Sequence, residues 1–216
     1  MNRFYDAHRV PLRALYTFLA RTHATGVGHM PLTGGLVLAS NHLSMLDPWL
    51  LGVLFPRQLH FMAKQELFDI KPLGWYLQQA GTFPIRRGES DRTAIRHAEE
   101  LLREGKVVMV FPEGHRSDSA GAQAARAGAV LLATRTGSPI LPVGIAGTEH
   151  FRLKHIDGHS RLDILKWPNV TVQVGEPIHL EGAGRGSARK QAADLIMRRI
   201  VALLPPEYHG VYGVSD

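Results

Sequence analysis

Short, largely apolar runs alternate along the chain with stretches whose apolar positions return every three or four residues. Leu36–Ala39, Leu59–Ala63, Val107–Phe111, Pro139–Ile145 and Val170–Val174 are the runs, and their length predicts strands. Val107–Phe111 has no polar interruption, which predicts cover on both faces, whereas Val170–Val174 alternates. A further strand over Gly81–Gly88 carries the paired arginines Arg86 and Arg87 near its end. Helices are predicted over Trp49–Phe55, Pro72–Ala80, Asp91–Arg103, Ala120–Thr136 and Ser187–Leu204. Ahead of them, residues 4–20 set Leu12, Leu15 and Leu19 at helical spacing, flanked by Arg3, Arg9, Arg13 and Arg21. That pattern is an amphipathic helix that either packs on the domain or lies on a membrane surface. Residues 26–35 are loop, 147–169 irregular and basic, and the last dozen a tail.

Strands alternating with helices predict an α/β fold: a single domain with a largely parallel or mixed sheet flanked by helices, preceded by the N-terminal helix. The boundaries are 1–25 for the helical segment, 26–205 for the domain and 206–216 for the tail.

In such sheets ligands bind beyond the carboxyl ends of the strands. His42, Arg86, Arg87 and Glu113 all follow predicted strands and are expected to converge there. His42 and Asp47 share one strand-to-helix turn. A neutral imidazole with an anionic partner takes a proton from a hydroxyl, and the carboxylate then stabilises the imidazolium. Asp47-Pro48 is equally a helix start, with Asp as N-cap and Pro behind it, which leaves His42 an ordinary loop residue. The chain has no cysteine and no G-x-S-x-G stretch. A base here therefore acts on a hydroxyl brought from outside. The guanidinium forks of Arg86 and Arg87 match phosphate oxygens, although arginines also end many exposed strands. Glu113-Gly114 forms a tight turn in which the carboxylate binds a hydroxyl, pairs with an arginine or faces water. Arg126 either extends a phosphate site or is solvated.

Charge and composition narrow the partners. A net charge of +6 and a pI near 9.9 suggest an anionic partner. The basic residues are scattered and no P-loop or nucleic-acid module appears, so nucleic acid is not expected. Absence of cysteine excludes a disulfide scaffold and fits a reducing compartment. No apolar run is long enough for an ordinary transmembrane helix, and the N-terminus makes a poor signal peptide. The 12 histidines include no H-E-x-x-H, and no third ligand joins His42 and Asp47, so neither metal nor cofactor is expected.

Asn41-His42-Leu43-Ser44-Met45-Leu46-Asp47 resembles the N-H-x-x-x-x-D motif of the glycerolipid acyltransferases, nearest to the 1-acyl-glycerol-3-phosphate (lysophosphatidate) acyltransferases. Gly81–Arg87 resembles their second motif, with Arg87 as its terminal arginine. Phe111-Pro112-Glu113-Gly114-His115-Arg116-Ser117 resembles F-P-E-G-T-R-S, and Ile140-Leu141-Pro142-Val143 the fourth motif. Ala63–Leu67, Arg126–Ala129 and Gly175–Ile178 are also similar to family segments. The motifs fall in the family's order over residues 36–178. His115 departs from the usual threonine, and Arg126 stands where lysine is common.

The resemblance implies transfer of a fatty acyl group from acyl-coenzyme A or acyl carrier protein to the sn-2 hydroxyl of lysophosphatidate. His42 and Asp47 are then the catalytic pair. Arg86, Arg87 and Arg116 hold the phosphate, Glu113 and Gly114 shape the acceptor pocket, and Arg126 adds to the phosphate site. The stretch before His42 is short for an embedded N-terminus, so peripheral attachment at the cytoplasmic face is expected. Trp49, Phe55, Phe68, Trp75 and Tyr76 flank the site in sequence and supply either core or an interfacial face. The rivals are an enzyme of the same fold with another lipid alcohol, such as a lyso-ornithine lipid or a lysophospholipid, and a non-catalytic anionic-lipid-binding protein.

Overall fold

The computed structural model describes residues 10–14, 21–85, 91–116, 121–150, 153–156, 159–162, 169–180 and 186–213. Residues 10–14 are helical (α1); the rest of the predicted N-terminal helix lies outside the described residues. The strands are β1 (His23–Thr25), β2 (Leu36–Ser40), β3 (Leu59–Lys64), β4 (Phe83–Ile85), β5 (Val107–Val110), β6 (Ile140–Ala146), β7 (Leu153–Ile156), β8 (His159–Leu162) and β9 (Thr171–Val174). The longer helices are α2 (Asp47–Leu54), α3 (Lys71–Gln79), α4 (Arg92–Arg103), α5 (Gly128–Thr136) and α6 (Gly186–Val201).

Seven strands form one mixed sheet in the order β1-β9-β6-β2-β5-β3-β4. β4, β3, β5, β2 and β6 run parallel, while β9 is antiparallel to β6 and carries β1 parallel to itself. The central strands are covered on both sides because alternate residues feed two cores. Val37, Ala39, Val108 and Val110 pack with residues of α4, α5 and α6, such as Ala98, Val130 and Ile196. Leu36, Leu38, Val107 and Met109 pack with Leu50, Leu51, Leu54 and Phe55 on and beside α2. Each fully buried large side chain here contributes about 1.5–3 kcal/mol relative to exposure. α4 starts where Asp91 accepts hydrogen bonds from the Thr93 and Ala94 N–H groups, both 3.1 Å, as an N-cap does.

Four segments differ from the sequence expectation. His23–Thr25, assigned to the N-terminal helical segment, is an edge strand paired with β9. The helix expected from Ala120 begins only at Gly128, since residues 122–126 spend their backbone hydrogen bonds on Tyr208, Pro112 and the Glu113 carboxylate instead. The irregular stretch 147–169 contains the antiparallel pair β7–β8, with Ile156 opposite His159. In the sequence, Asp157-Gly158 is a dipeptide suited to a two-residue hairpin turn. Residues 206–213 do not trail away. They form two 3₁₀ turns, Pro206–Tyr208 and Gly210–Tyr212, bonded to the domain.

Candidate active site

β2 delivers the chain to the carboxyl edge of the sheet at Ser40, and the next residues make a compact turn before α2. Asp47 closes that turn. Its Oδ2 accepts from the Leu43 and Ser44 N–H groups, each 2.8 Å, and from His42 Nδ1 at 2.9 Å. Asp47 is fully buried, and Oδ1 has no hydrogen-bond partner among the described residues. The side chain does not cap α2. Leu46 occupies the N-cap position without a side-chain bond, and Asp47 is itself the first helical residue, with its carboxylate turned back to the preceding loop. Three donors converging on one oxygen fix the carboxylate in a single orientation at the start of the helix.

The Nδ1–H bond to Asp47 selects the tautomer in which Nε2 carries the lone pair. The imidazole also stacks on the Phe111 ring, with centroids 3.9 Å apart and planes 14° from parallel. Its side chain is 13% exposed, so the held ring still reaches solvent. A base fixed by one carboxylate and one ring face is pre-oriented to take a proton at Nε2.

Two buried side chains hold the backbone on either side of this ring. Asn41 bridges to β6, donating Nδ2–H to the Ile145 carbonyl and accepting the Ile145 N–H at Oδ1, both 2.8 Å. It continues the β2–β6 ladder by one rung through a side chain. Glu113, also fully buried, accepts the His42 N–H at Oε1 (3.0 Å) and the Gln123 N–H at Oε2 (2.9 Å). Asn41→Ala leaves two buried backbone groups of Ile145 unpaired, at about 1–3 kcal/mol each. The expected result is a stability loss of about 2–6 kcal/mol, read as a lower urea midpoint; an unchanged midpoint would show the bridge to be dispensable.

Of the residues the sequence singles out, the structure brings together His42, Asp47 and Glu113, with Gly114 and Arg126 beside them. Gly114 has φ +76°, and a Cβ there would lie 2.7 Å from Arg126 Cδ, so the arginine crosses directly over a turn that suits glycine. Arg126 is anchored at its N–H, which donates to the Pro112 carbonyl at 2.8 Å, while the side chain is exposed. Arg116 is exposed, and His115 donates from Nδ1 to the Glu113 carbonyl at 3.0 Å. Arg86 and Arg87 lie outside the described residues. Ile85, which precedes them, ends β4 beside Lys64 of β3, at the carboxyl edge where His42 stands.

The acyltransferase family model matches residues 21–146 of the chain, more than half of it and all of the turn just described. The chain belongs to the glycerolipid acyltransferase family. The acyltransferase is 31% identical over 152 residues to the 1-acyl-sn-glycerol-3-phosphate acyltransferase of Bacillus subtilis, covering 70% of each chain. It is 29% identical over 224 residues to the lyso-ornithine lipid O-acyltransferase of Pseudomonas aeruginosa, covering 95% of this chain and 86% of that one. Several further curated relatives are longer, and the chain spans about half of their length. The crystal structure of PlsC from Thermotoga maritima, a 1-acyl-sn-glycerophosphate acyltransferase, shares the fold, with a TM-score of 0.65 at 22% identity over 93% of this chain and 82% of that one.

Some members of the site were not singled out from sequence. Phe111 directly follows β5, and the alternation that puts Val107 and Met109 on one face of the sheet is the sequence signal for its side. Asn41 had no assigned role, and nothing local indicates a partner 104 residues away. Among the aromatics near the site in sequence, Phe55 is fully buried in the core. Trp49 instead ties α2 to α3 through Tyr76, ring centroids 5.2 Å apart. Among the described residues no helix is long and apolar enough to cross a membrane.

Proposed function

We propose that this acyltransferase moves a fatty acyl group from an acyl thioester, acyl-coenzyme A or acyl carrier protein, to the sn-2 hydroxyl of 1-acyl-glycerol-3-phosphate. The observation that carries the proposal is the His42–Asp47 pair, whose Nδ1–H is engaged while Nε2 is left available on a ring held against Phe111. His42 Nε2 takes the proton of the acceptor hydroxyl as its oxygen attacks the thioester carbonyl. The tetrahedral intermediate expels the thiol, which leaves with the proton from the imidazolium. Base assistance of this kind is worth about 10²–10⁴-fold, or roughly 3–5 kcal/mol of barrier. Arg87, with Arg86, Arg116 and Arg126, holds the acceptor phosphate in bidentate contacts. Gly114 lets that part of the acceptor come close to the backbone.

A peripheral position on the cytoplasmic face of a membrane fits the same edge of the molecule. Met45 of the catalytic turn, Leu67 and Ile70 after β3, and Trp75 of α3 are exposed large apolar side chains, Trp75 to 57%. Apolar groups of this kind insert at the headgroup boundary.

A second reading is acyl transfer to a lyso-ornithine lipid. It is favoured by the relative of that name, whose match extends over nearly the whole chain. Thiol release measured with lysophosphatidate and with lyso-ornithine lipid, each against both donors, separates the two. Turnover on lysophosphatidate well above the other acceptor is the expected result. Preference for lyso-ornithine lipid transfers the assignment, and no thiol release with any pair favours a lipid-binding role. Arg87→Ala should raise KM for a phosphorylated acceptor about tenfold or more and barely touch a phosphate-free one; equal losses on both would remove Arg87 from the phosphate site.

A further inference from the structure

The turns after α6 close on the strand of backbone that supports the third motif. Residues 121–126 are threaded between that motif and the chain's end by a continuous set of bonds. Ala122 N–H donates to the Tyr208 carbonyl at 2.9 Å, and the Ala122 carbonyl accepts the Val211 N–H at 3.1 Å. Ala125 N–H donates to the Tyr212 hydroxyl at 2.9 Å, and that hydroxyl donates on to Asp194 of α6 at 3.1 Å. Arg198, on the same helix, lies 5.8 Å from the centre of the Tyr212 ring. Tyr208 is buried; its hydroxyl donates to Glu149 at 2.6 Å and accepts the Gly147 N–H at 3.2 Å. Burial, then the Glu149 carboxylate, push its pKa up to about 12, so it stays a neutral donor at ordinary pH. The far side of the same backbone faces the site, where Gln123 N–H donates to Glu113 Oε2 and Glu113 Oε1 holds the His42 N–H.

Gly210 makes this closure possible. Its φ is +51°, and a Cβ there would stand 2.2 Å from the Ala122 carbonyl oxygen and 2.5 Å from the Ala122 nitrogen. Both obstacles are backbone, so no side-chain rotation relieves them.

We propose that residues 206–212 are a clasp that positions the catalytic histidine. They pin 122–125, that segment fixes the second oxygen of Glu113, and Glu113 sets the backbone from which the His42 ring projects. Tyr212, Tyr208 and Gly210 are thus positioning residues more than one bond removed from the chemistry, and Glu113 reaches His42 through its main chain. The inference rests on the reading of His42 as the base, but its structural half does not need turnover. Small displacements of a positioned base lower kcat while leaving the binding of substrate intact.

The test uses the full chain as Gly210→Ala and as Tyr212→Phe. Residue-level amide hydrogen exchange is followed beside kcat and both KM values. In Gly210→Ala, protection should fall at the Gln123 and His42 amides while those of Val37–Ala39 in β2 keep theirs. kcat should drop about tenfold with both KM values within about twofold. Tyr212→Phe removes the acceptor of the Ala125 N–H without adding bulk and should show the same pattern with a smaller loss of kcat. It carries the test should the alanine variant not fold. Gln123 opening while the His42 amide and kcat stay unchanged overturns the proposal. So does an equal fall in protection at His42 and in β2, which would be general loosening. If the wild type releases no thiol with any acceptor, the proposed function fails, and the exchange pattern still decides the clasp.

Discussion

His42→Ala should lower kcat for acyl transfer by about 10²–10⁴-fold, the usual worth of a positioned base, with KM for donor and acceptor little changed. The fold should survive. Among the described residues the ring makes one hydrogen bond and one stacking contact, and it is partly exposed. The bonds that shape the turn run from the backbone of residues 42–44 to Glu113 and Asp47 and do not involve the imidazole. Thiol release followed against time, with circular dichroism to verify folding, gives the answer. A folded variant turning over within a few-fold of wild type would falsify the role of His42 as base.

Asp47→Asn is the second large effect, and it separates charge from shape. An amide oxygen in the place of Oδ2 can still accept from Leu43, Ser44 and His42, so the turn persists. The charge that stabilises the imidazolium is lost, and a loss on the order of 10³-fold in kcat is expected. Asp47→Ala, by contrast, strips two buried backbone donors and the partly exposed imidazole of their acceptor and should also cost about 2–4 kcal/mol of stability. Comparison of thermal midpoints and kcat for the two variants checks this. An asparagine variant that keeps most of its kcat would mean that the carboxylate only builds the turn.

How much was legible in the sequence follows from which interactions are local. His42 and Asp47 are five positions apart, and a strand-to-helix turn of that length places both side chains in one small volume. The approach of Glu113 to His42 needed only the parallel pairing of β2 with β5, which two unbroken apolar runs already suggest. What stayed hidden depends on partners far along the chain. Residues 122–127 have the composition of a helix, and alanine-rich sequence is helical by default. They stay out of the helix because Tyr208, Val211 and Tyr212 pair with the backbone of Ala122 and Ala125, and Glu113 and Pro112 accept the N–H groups of Gln123 and Arg126. Gly210 reads as one more glycine in a polar tail until Ala122 is found against it. Both oxygens of Glu113 accept main-chain N–H groups, a use that no spacing rule announces.

The reversal of β9 has an effect on how the molecule can vary. Ala146, the last residue of β6, sits across the ladder from Thr171, the first of β9. The chain therefore leaves the sheet after β6 and comes back to it at the facing end of β9, and β7 and β8 pair with each other apart from it. An excursion anchored so closely at both ends can change in length beyond Glu149, whose carboxylate holds Tyr208, without shifting β6 or β9, and it departs from the edge where His42 stands.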